Sequence, residues 1–396
     1  MRKVLIIAEY FPPAGAVGTF RVTKFVKYLR EFGWEPVILT LREECYIETK
    51  WPLDQSLMKD IPEGISVYRT SLWKSALFKD PGIRWIPPLF AGISSVIRKE
   101  RPTLLYITGN PFWPMIVAPT VKFFHRLNYV VDLRDPWKLA QPIKPLRGYK
   151  ARSVSLINRI LEPIVIKHAS KTICVSEQMC QEYRHEYSDL SPNHFAVITN
   201  GYDPDDFSSV RPKKFNEFTI VYAGKFLTGE SFRDPTQFFC ALRKLLDRNF
   251  NVHFVHVGQR DAEVMRAAAR AGIKTQCDFV GQLPYKETIS YTKGADLLLL
   301  IGGGQRTEQT GKIFDYMGCE RPILALASKD SGIGDVARDA SNITILENND
   351  DFGAITGAIE AYYTGGQNGS TKSGGSTKYH RRVLTSKLAK VLDQAG

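Results

Sequence analysis

Two loops in the second half of this sequence hold cations where a phosphorylated ligand would sit. "VYAGKFLTGESFRDP" ends a buried-strand pattern at Gly224 and sets Lys225 and Arg233 in the loop behind it. Two cations at a strand's carboxyl end can neutralise a diphosphate whose charge grows as it leaves. Loop cations are also commonly no more than solvated. In "GGGQRTEQTGKIFDYMGCERPILAL", Thr310 can cap a helix, which leaves Gly311 and Lys312 in its first turn. Free N–H groups there, with the ammonium, would bind a phosphate. Asp315, roughly one turn further in, is positioned to accept hydrogen bonds from a ribose diol. The plain alternative is that Asp315 favours the helix dipole and Lys312 points to water.

The first half has its own candidates. In "FPPAGAVGTFR", Gly15 and Gly18 lie between a strand and a helix. They suit either an anion approaching backbone N–H groups or a tight turn. A nicotinamide fingerprint would need G-x-G-x-x-G, and Pro13 occupies the place of its first glycine. "VVDLRDPW" puts Asp132, Arg134 and Asp135 at a strand end, in a loop that Pro136 and Trp137 mark as packed. We read it as facing ligand rather than capping a helix. Asn110, ahead of Pro111 in "ITGNPFWP", can serve a hydroxyl-rich ligand or simply make a turn. The seven His show no HExxH and no His/Cys spacing, and no apolar-flanked DxD appears, so no metal site is expected. A departing diphosphate would then depend on Lys, Arg and helix dipoles.

Residues of this kind need strand ends to hold them. With 396 residues the chain suits two domains of about 150–200 each. "KVLIIAEY" and "EPVILTL" are buried-strand patterns flanking "TFRVTKFVKYLREFG", where Val22, Phe25, Val26 and Leu29 recur at helical spacing and Gly33 stops the helix. This is a βαβ unit with strands buried on both faces. "TLLYIT", "YVVDLR", "KTICVS" and "AVIT" follow. A second series runs through "FTIVYAG", "VHFVHVG", "DFVGQ", "DLLLLIG", "PILALA" and "NITIL". The polar stretch 201–218 separates them. We expect an α/β protein of two doubly wound parallel sheets: a first domain over 1–208 and a second over 218–363. A Gly/Ser/Thr-rich linker at 364–377 leads to a closing helix at 379–394.

Taken in order, these stretches resemble glycosyltransferase family 4, the "group 1" transferases of the GT-B architecture. The likeness rests on "EYFPPAGAVGTFRVTKFVKYLREFGWEPVILT", "VVDLRDPW", "ICVSEQM", "VITNGYDPDDF", "VYAGKF" with "FRDP", "FVGQLPYKETISYTKGADLLLL" and "TGKIFDYMGCERPILAL". It implies two Rossmann-like domains facing a cleft and a metal-independent sugar transfer, usually with retention. The donor would be a nucleoside-diphosphate sugar, with UDP or GDP the expected carriers. Carried over by position, Lys225 and Arg233 hold the diphosphate, Gly311 and Lys312 stand at its helix, and Asp315 takes the ribose. The backbone at 283–285, with Leu283 and Tyr285, meets the base. Gly15 and Gly18 line the cleft, and the closing helix returns to the first domain. The family commonly pairs two Glu eight positions apart; here Thr307, beside Glu308, stands for the first and Asp315 for the second. A His usual before an Asp is Arg134 here, so Asp135 becomes the candidate for contact with the reacting sugar. It joins Lys225 and Arg233 as catalytic candidates. Asn110, Arg134, Asp135 and Trp137 are the acceptor candidates.

The resemblance points to surface polysaccharide, glycolipid or glycosylated-metabolite synthesis in a bacterial cytoplasm. An epimerase or hydrolase of the same fold, or an inactive sugar-nucleotide-binding subunit, is the alternative. Formal charge is +12, and 122–171 carries eleven Lys/Arg against three acids. That stretch suits either an anionic membrane, with a lipid-linked acceptor, or plain solvation. No nucleic-acid module is recognisable. "MRKVLIIAEY" is too short in its apolar part for a leader or a membrane span. The six Cys, without regular spacing, read as small buried hydrophobes.

Overall fold

A computed structural model describes residues 1–15, 17–138, 149–226, 233–347, 352–365 and 376–396. The chain divides into two compact units, Met1–Asn200 with Arg381–Gly396, and Gly201–His380.

In the first unit the apolar runs become seven strands: β1 (Arg2–Ile7), β2 (Trp34–Leu41), β3 (Ser66–Thr70), β4 (Leu104–Gly109), β5 (Tyr129–Leu133), β6 (Lys171–Cys174) and β7 (Phe195–Val197). They form one sheet in the order β3-β2-β1-β4-β5-β6-β7, every pairing parallel. Alternate residues of β1 serve opposite cores. Val4 and Ile6 join Val22, Phe25 and Val26 of the helix Val17–Tyr28, while Leu5 and Ile7 face the other cluster. Burial on both faces is why the run reads as continuously apolar. Gly33 ends the helical segment at φ 83°, a left-handed conformation that suits glycine. The helix Arg381–Ala395 lays Leu384, Leu388 and Leu392 on the same core as Val22 and Phe25.

One ion pair locks this unit internally. Arg21 donates from Nε and Nη2 to the two carboxylate oxygens of Asp132 at 2.9 and 2.8 Å, and both side chains are fully buried. Tyr106 and Thr108 on β4 donate to the same carboxylate, and Arg21 also reaches the carbonyls of Ile198 and Thr199. Burial pushes Asp132 up, but Arg21 and the two hydroxyl donors outweigh it and hold the acid below its ordinary range. Asp132 therefore does not face ligand, contrary to the expectation from "VVDLRDPW". Its oxygens are spent on holding the first helix to β4 and β5.

The second unit contains β8 (Phe218–Ala223), β9 (Val252–Val257), β10 (Cys277–Gly281), β11 (Leu297–Ile301), β12 (Ile323–Leu326) and β13 (Ile343–Leu346). The order is β10-β9-β8-β11-β12-β13, again all parallel. Residues 201–208 belong here rather than to the first unit. Phe207 is buried over Gly318, where any Cβ would strike its ring, and Lys293 Nζ donates to the carbonyls of Phe207 and Val210 at 2.8 and 2.9 Å. Of the expected linker, 366–375 lies outside the described residues.

Strand order reverses between β1 and β4 in one sheet and between β8 and β11 in the other. Open parallel sheets gather loops for ligand at such points. No described helix is long and apolar enough to cross a membrane.

Candidate functional site

In the second unit the reversal point collects the loop after β8, the loop after β11 and the helix Lys312–Gly318. β8 ends in Gly224 at φ 126°, and a Cβ there would overlap Lys312 Cε and Nζ. Only a glycine lets the lysine lie across the end of the strand. His256, on neighbouring β9, donates from Nε2 to Gly224 O at 2.7 Å, so its Nδ1 is the unprotonated nitrogen. Burial pulls the imidazole below its ordinary pKa and keeps it neutral.

Lys312 Nζ donates to Tyr222 Oη at 2.8 Å and stands 4.3 Å from the centre of that ring. Burial first, then the nearby Arg233 guanidinium, lowers the Lys312 pKa to about 7, with Glu308 opposing. Arg233 forms an ion pair with Glu308, whose other oxygen accepts from Gly303 N–H. Thr307, standing where the family commonly has a Glu, is half-buried, and its neighbour Glu308 is the one that meets the arginine. Tyr285 donates to Asp315 Oδ1 at 3.0 Å, which joins the 283–285 segment, including half-buried Leu283, to the carboxylate. Tyr316 Oη accepts from Ala223 N–H at 2.7 Å and fixes that helix to the strand end. The structure therefore brings together Arg233, Glu308, Lys312, Asp315 and Tyr285.

Other expectations fare differently. Thr310 does not cap the helix; Gly311 is the N-cap, with no side-chain bond. Lys225 is exposed, and the contact recorded for it is its carbonyl accepting from Tyr222 Oη at 3.1 Å. Gly15 spends its N–H on Pro52 O at 2.7 Å, which answers the choice between turn and anion loop in favour of the turn. Gly18 is needed for another reason, because a Cβ there would overlap the Arg134 guanidinium.

At the reversal point of the first unit, Arg134 follows β5 and donates from Nε to Gly109 O at 3.0 Å and from Nη2 to Asn110 O. The Asn110 and Asp135 side chains are exposed nearby in the chain. Trp137 corrects the acceptor assignment: its ring is buried, stacks on Phe112 at 5.2 Å, and donates from Nε1 to Asn158 at 3.1 Å. It packs the loop and offers no face to a ligand.

Sequence reasoning missed Tyr222, His256 and Glu9. Tyr222 and His256 sit inside apolar strand runs, where a polar atom reads as a satisfied core group. Glu9 follows β1 and is buried, with no hydrogen-bond partner at Oε2. An acid directly behind "KVLIIA" was its only signal. Among the described residues no cluster of three or more His, Cys, Asp or Glu is able to hold a metal ion.

Comparison with known families matches residues 19–206 to the description "Glycosyltransferase Family 4" and residues 217–364 to "Glycosyl transferases group 1". Among solved structures, the lipopolysaccharide outer core galactosyltransferase WaaB in its apo form is similar at TM-score 0.63 and 11% identity, covering 99% of both chains. WaaG, a glycosyltransferase of lipopolysaccharide biosynthesis, is similar at 0.59 and 14% identity, covering 99% of this chain and 95% of its own. UDP-GlcNAc 2-epimerase from Methanocaldococcus jannaschii is similar at 0.59 and 11%, with 99% of both chains covered. These likenesses support the two-sheet GT-B fold. No curated protein sequence matches.

Proposed function

The chain belongs to the family 4, group 1 glycosyltransferases, and from that premise we propose that it moves a sugar from a nucleoside-diphosphate donor to a hydroxyl acceptor. The observation that carries this reading is the meeting of Arg233, Lys312 and Asp315 beyond β8 and β11. Arg233 and the protonated form of Lys312 take the diphosphate and stabilise the charge that gathers on it as the glycosidic bond breaks. Two such cations supply this without a divalent ion. Glu308 holds Arg233 in place until phosphate competes for it. Asp315, already oriented by Tyr285, accepts from the ribose hydroxyls. Leu283 and the backbone beside it form the base side, with UDP and GDP as carriers. Lys225, exposed at the end of β8, adds attraction for the incoming anion. Retention at the anomeric carbon is the family's usual outcome. Asn110, Arg134 and Asp135 belong to the acceptor side in the first unit.

The helices Val117–His125 and Tyr149–His168 support a cytoplasmic enzyme resting on the inner face of an anionic membrane, with lipid-linked acceptors included. They expose Phe123, Phe124, Leu156, Ile160 and Ile164. Lys122, Arg159 and Lys167 lie among these, and the only acid in either helix, Glu162, is buried. Aromatic and aliphatic side chains with cations around them suit a lipid headgroup region. Products would then be surface polysaccharide or glycolipid.

A thermal-shift screen against UDP-, GDP-, ADP- and dTDP-sugars, with and without EDTA, tests the donor. A bound nucleotide raises stability by about 2.7 kcal/mol at a hundredfold excess over its dissociation constant. A shift that EDTA leaves intact supports the reading. Consumption of that donor to an epimer or free sugar with no acceptor present would favour the epimerase or hydrolase alternative.

A further inference from the structure

Glu9 lies just past the carboxyl end of β1, beside the reversal point of the first sheet, and only 4% of it is exposed. Its backbone carbonyl is used: Tyr46 Oη donates to it at 2.7 Å and Thr40 Oγ1 at 3.3 Å. Its Oε2 has no hydrogen-bond partner. Folded proteins rarely leave a buried carboxyl oxygen unsatisfied, and those that persist call for a use. Beside it in the chain, Tyr10 sets its ring edge-on to Trp51, centroids 4.9 Å apart, and Trp51 is 38% exposed.

The charges around Glu9 select the kind of ligand. Asp80, the N-cap of the helix Pro81–Glu100, disfavours a second negative charge. Arg134 opposes this weakly, and its guanidinium is already engaged by the carbonyls of Gly109 and Asn110. Tyr10 and Tyr46 also lie close enough to feel its charge, and burial keeps both phenols protonated. Burial first, then Asp80, pushes Glu9 up to about 8, so at neutral pH it is chiefly a carboxylic acid. Such a group offers one O–H donor and one acceptor, the complement of a hydroxyl and a poor partner for a phosphate or carboxylate.

We propose that Glu9 reads a hydroxyl of a neutral sugar at the carboxyl end of β1. The proposal deepens the transferase reading by naming an acceptor-side residue, and rests on it for the sugar nature of the ligand.

The test uses the full chain labelled with carboxyl-¹³C glutamate and followed by NMR, Glu9 being assigned by the signal lost in Glu9→Gln. Methyl glucoside, galactoside and mannoside are titrated to their solubility limits. The expected result is that at least one moves the titration midpoint of Glu9. Its dissociation constant should rise about tenfold in Glu9→Met, as for one lost hydrogen bond, and recover to within about threefold in Glu9→Gln at pH 6.5. Binding of sugar nucleotides should be equal in all three proteins. A midpoint indifferent to every glycoside would overturn the proposal, as would unchanged glycoside affinity in Glu9→Met. A response at Glu9 without any sugar-nucleotide binding would sink the transferase reading and leave this site standing.

Discussion

Lys312 is the residue whose environment says most about its task. An ammonium packed against Tyr222, under Gly224 and close to Arg233 loses solvent and gains a like charge, so about half of it is neutral at pH 7. A diphosphate beside it favours the charged form, so binding takes up a proton when pH exceeds the free-state pKa. Because a lowered lysine pKa leaves charge present below pH 7 and removes it above, donor affinity should fall as pH rises. From pH 6.5 to pH 8.5 the loss should approach about tenfold per unit above 7. Calorimetry on wild type and Lys312→Met checks this: the variant should bind more weakly and with a flat pH profile. A wild-type profile equally flat would mean that Lys312 does not meet the phosphate. Gly224 and Lys312 were both legible in the sequence, but their overlap was not, because spacing in the chain does not reveal which side chain crosses a strand end.

Among the elements, the helix Val17–Tyr28 is tied to β4 and β5 by the Arg21–Asp132 pair. Removing one partner strands a buried charge, at a cost of about 3–5 kcal/mol. Asp132→Ala should therefore lower the unfolding free energy of the first unit, measured by denaturant titration, by that amount, and Arg21→Met with Asp132→Leu together should lose less than either change alone. Equal losses in singles and double would mean that the packing, not the pair, holds the helix. The residue pattern misled here because an Asp at a strand end looks alike whether it faces a ligand or an arginine. Trp137 misled for a similar reason: "DPW" marks a packed loop, and the ring itself does the packing. The two helices carrying Phe123, Phe124, Leu156 and Ile160 make a separate prediction. In sedimentation with vesicles, the full chain should partition to phosphatidylglycerol-containing bilayers far more than to pure phosphatidylcholine. Phe123→Ser with Phe124→Ser should cut that partition several-fold without changing donor binding. Equal partition of variant and wild type would remove these helices from the membrane account.

At the scale of the whole molecule, the two parallel sheets were readable because strands buried on both faces must be continuously apolar, as in β1, β8 and β11. β3 escaped notice because it is an edge strand, half-buried at each of its five residues, and its "SVYRT" has no such run. The first unit's end at Asn200 was also hidden. A polar, proline-bearing stretch looks like a linker until Phe207 is seen over Gly318. The candidate site was legible as separate pieces, Arg233, Lys312 and Asp315 each marked by a strand or helix end. Tyr222 and His256, which meet Lys312 and the Gly224 carbonyl, looked like core residues because they sit inside apolar strand runs.

The most direct test of the central claim is the sugar-nucleotide screen repeated on Arg233→Met and Asp315→Ala. The account predicts that one donor stabilises the wild-type protein with or without EDTA, and that each variant loses most of that shift. Loss of one charged hydrogen bond alone should weaken the donor about ten- to a hundredfold. Full shifts in both variants would contradict it and move the donor away from the carboxyl ends of β8 and β11.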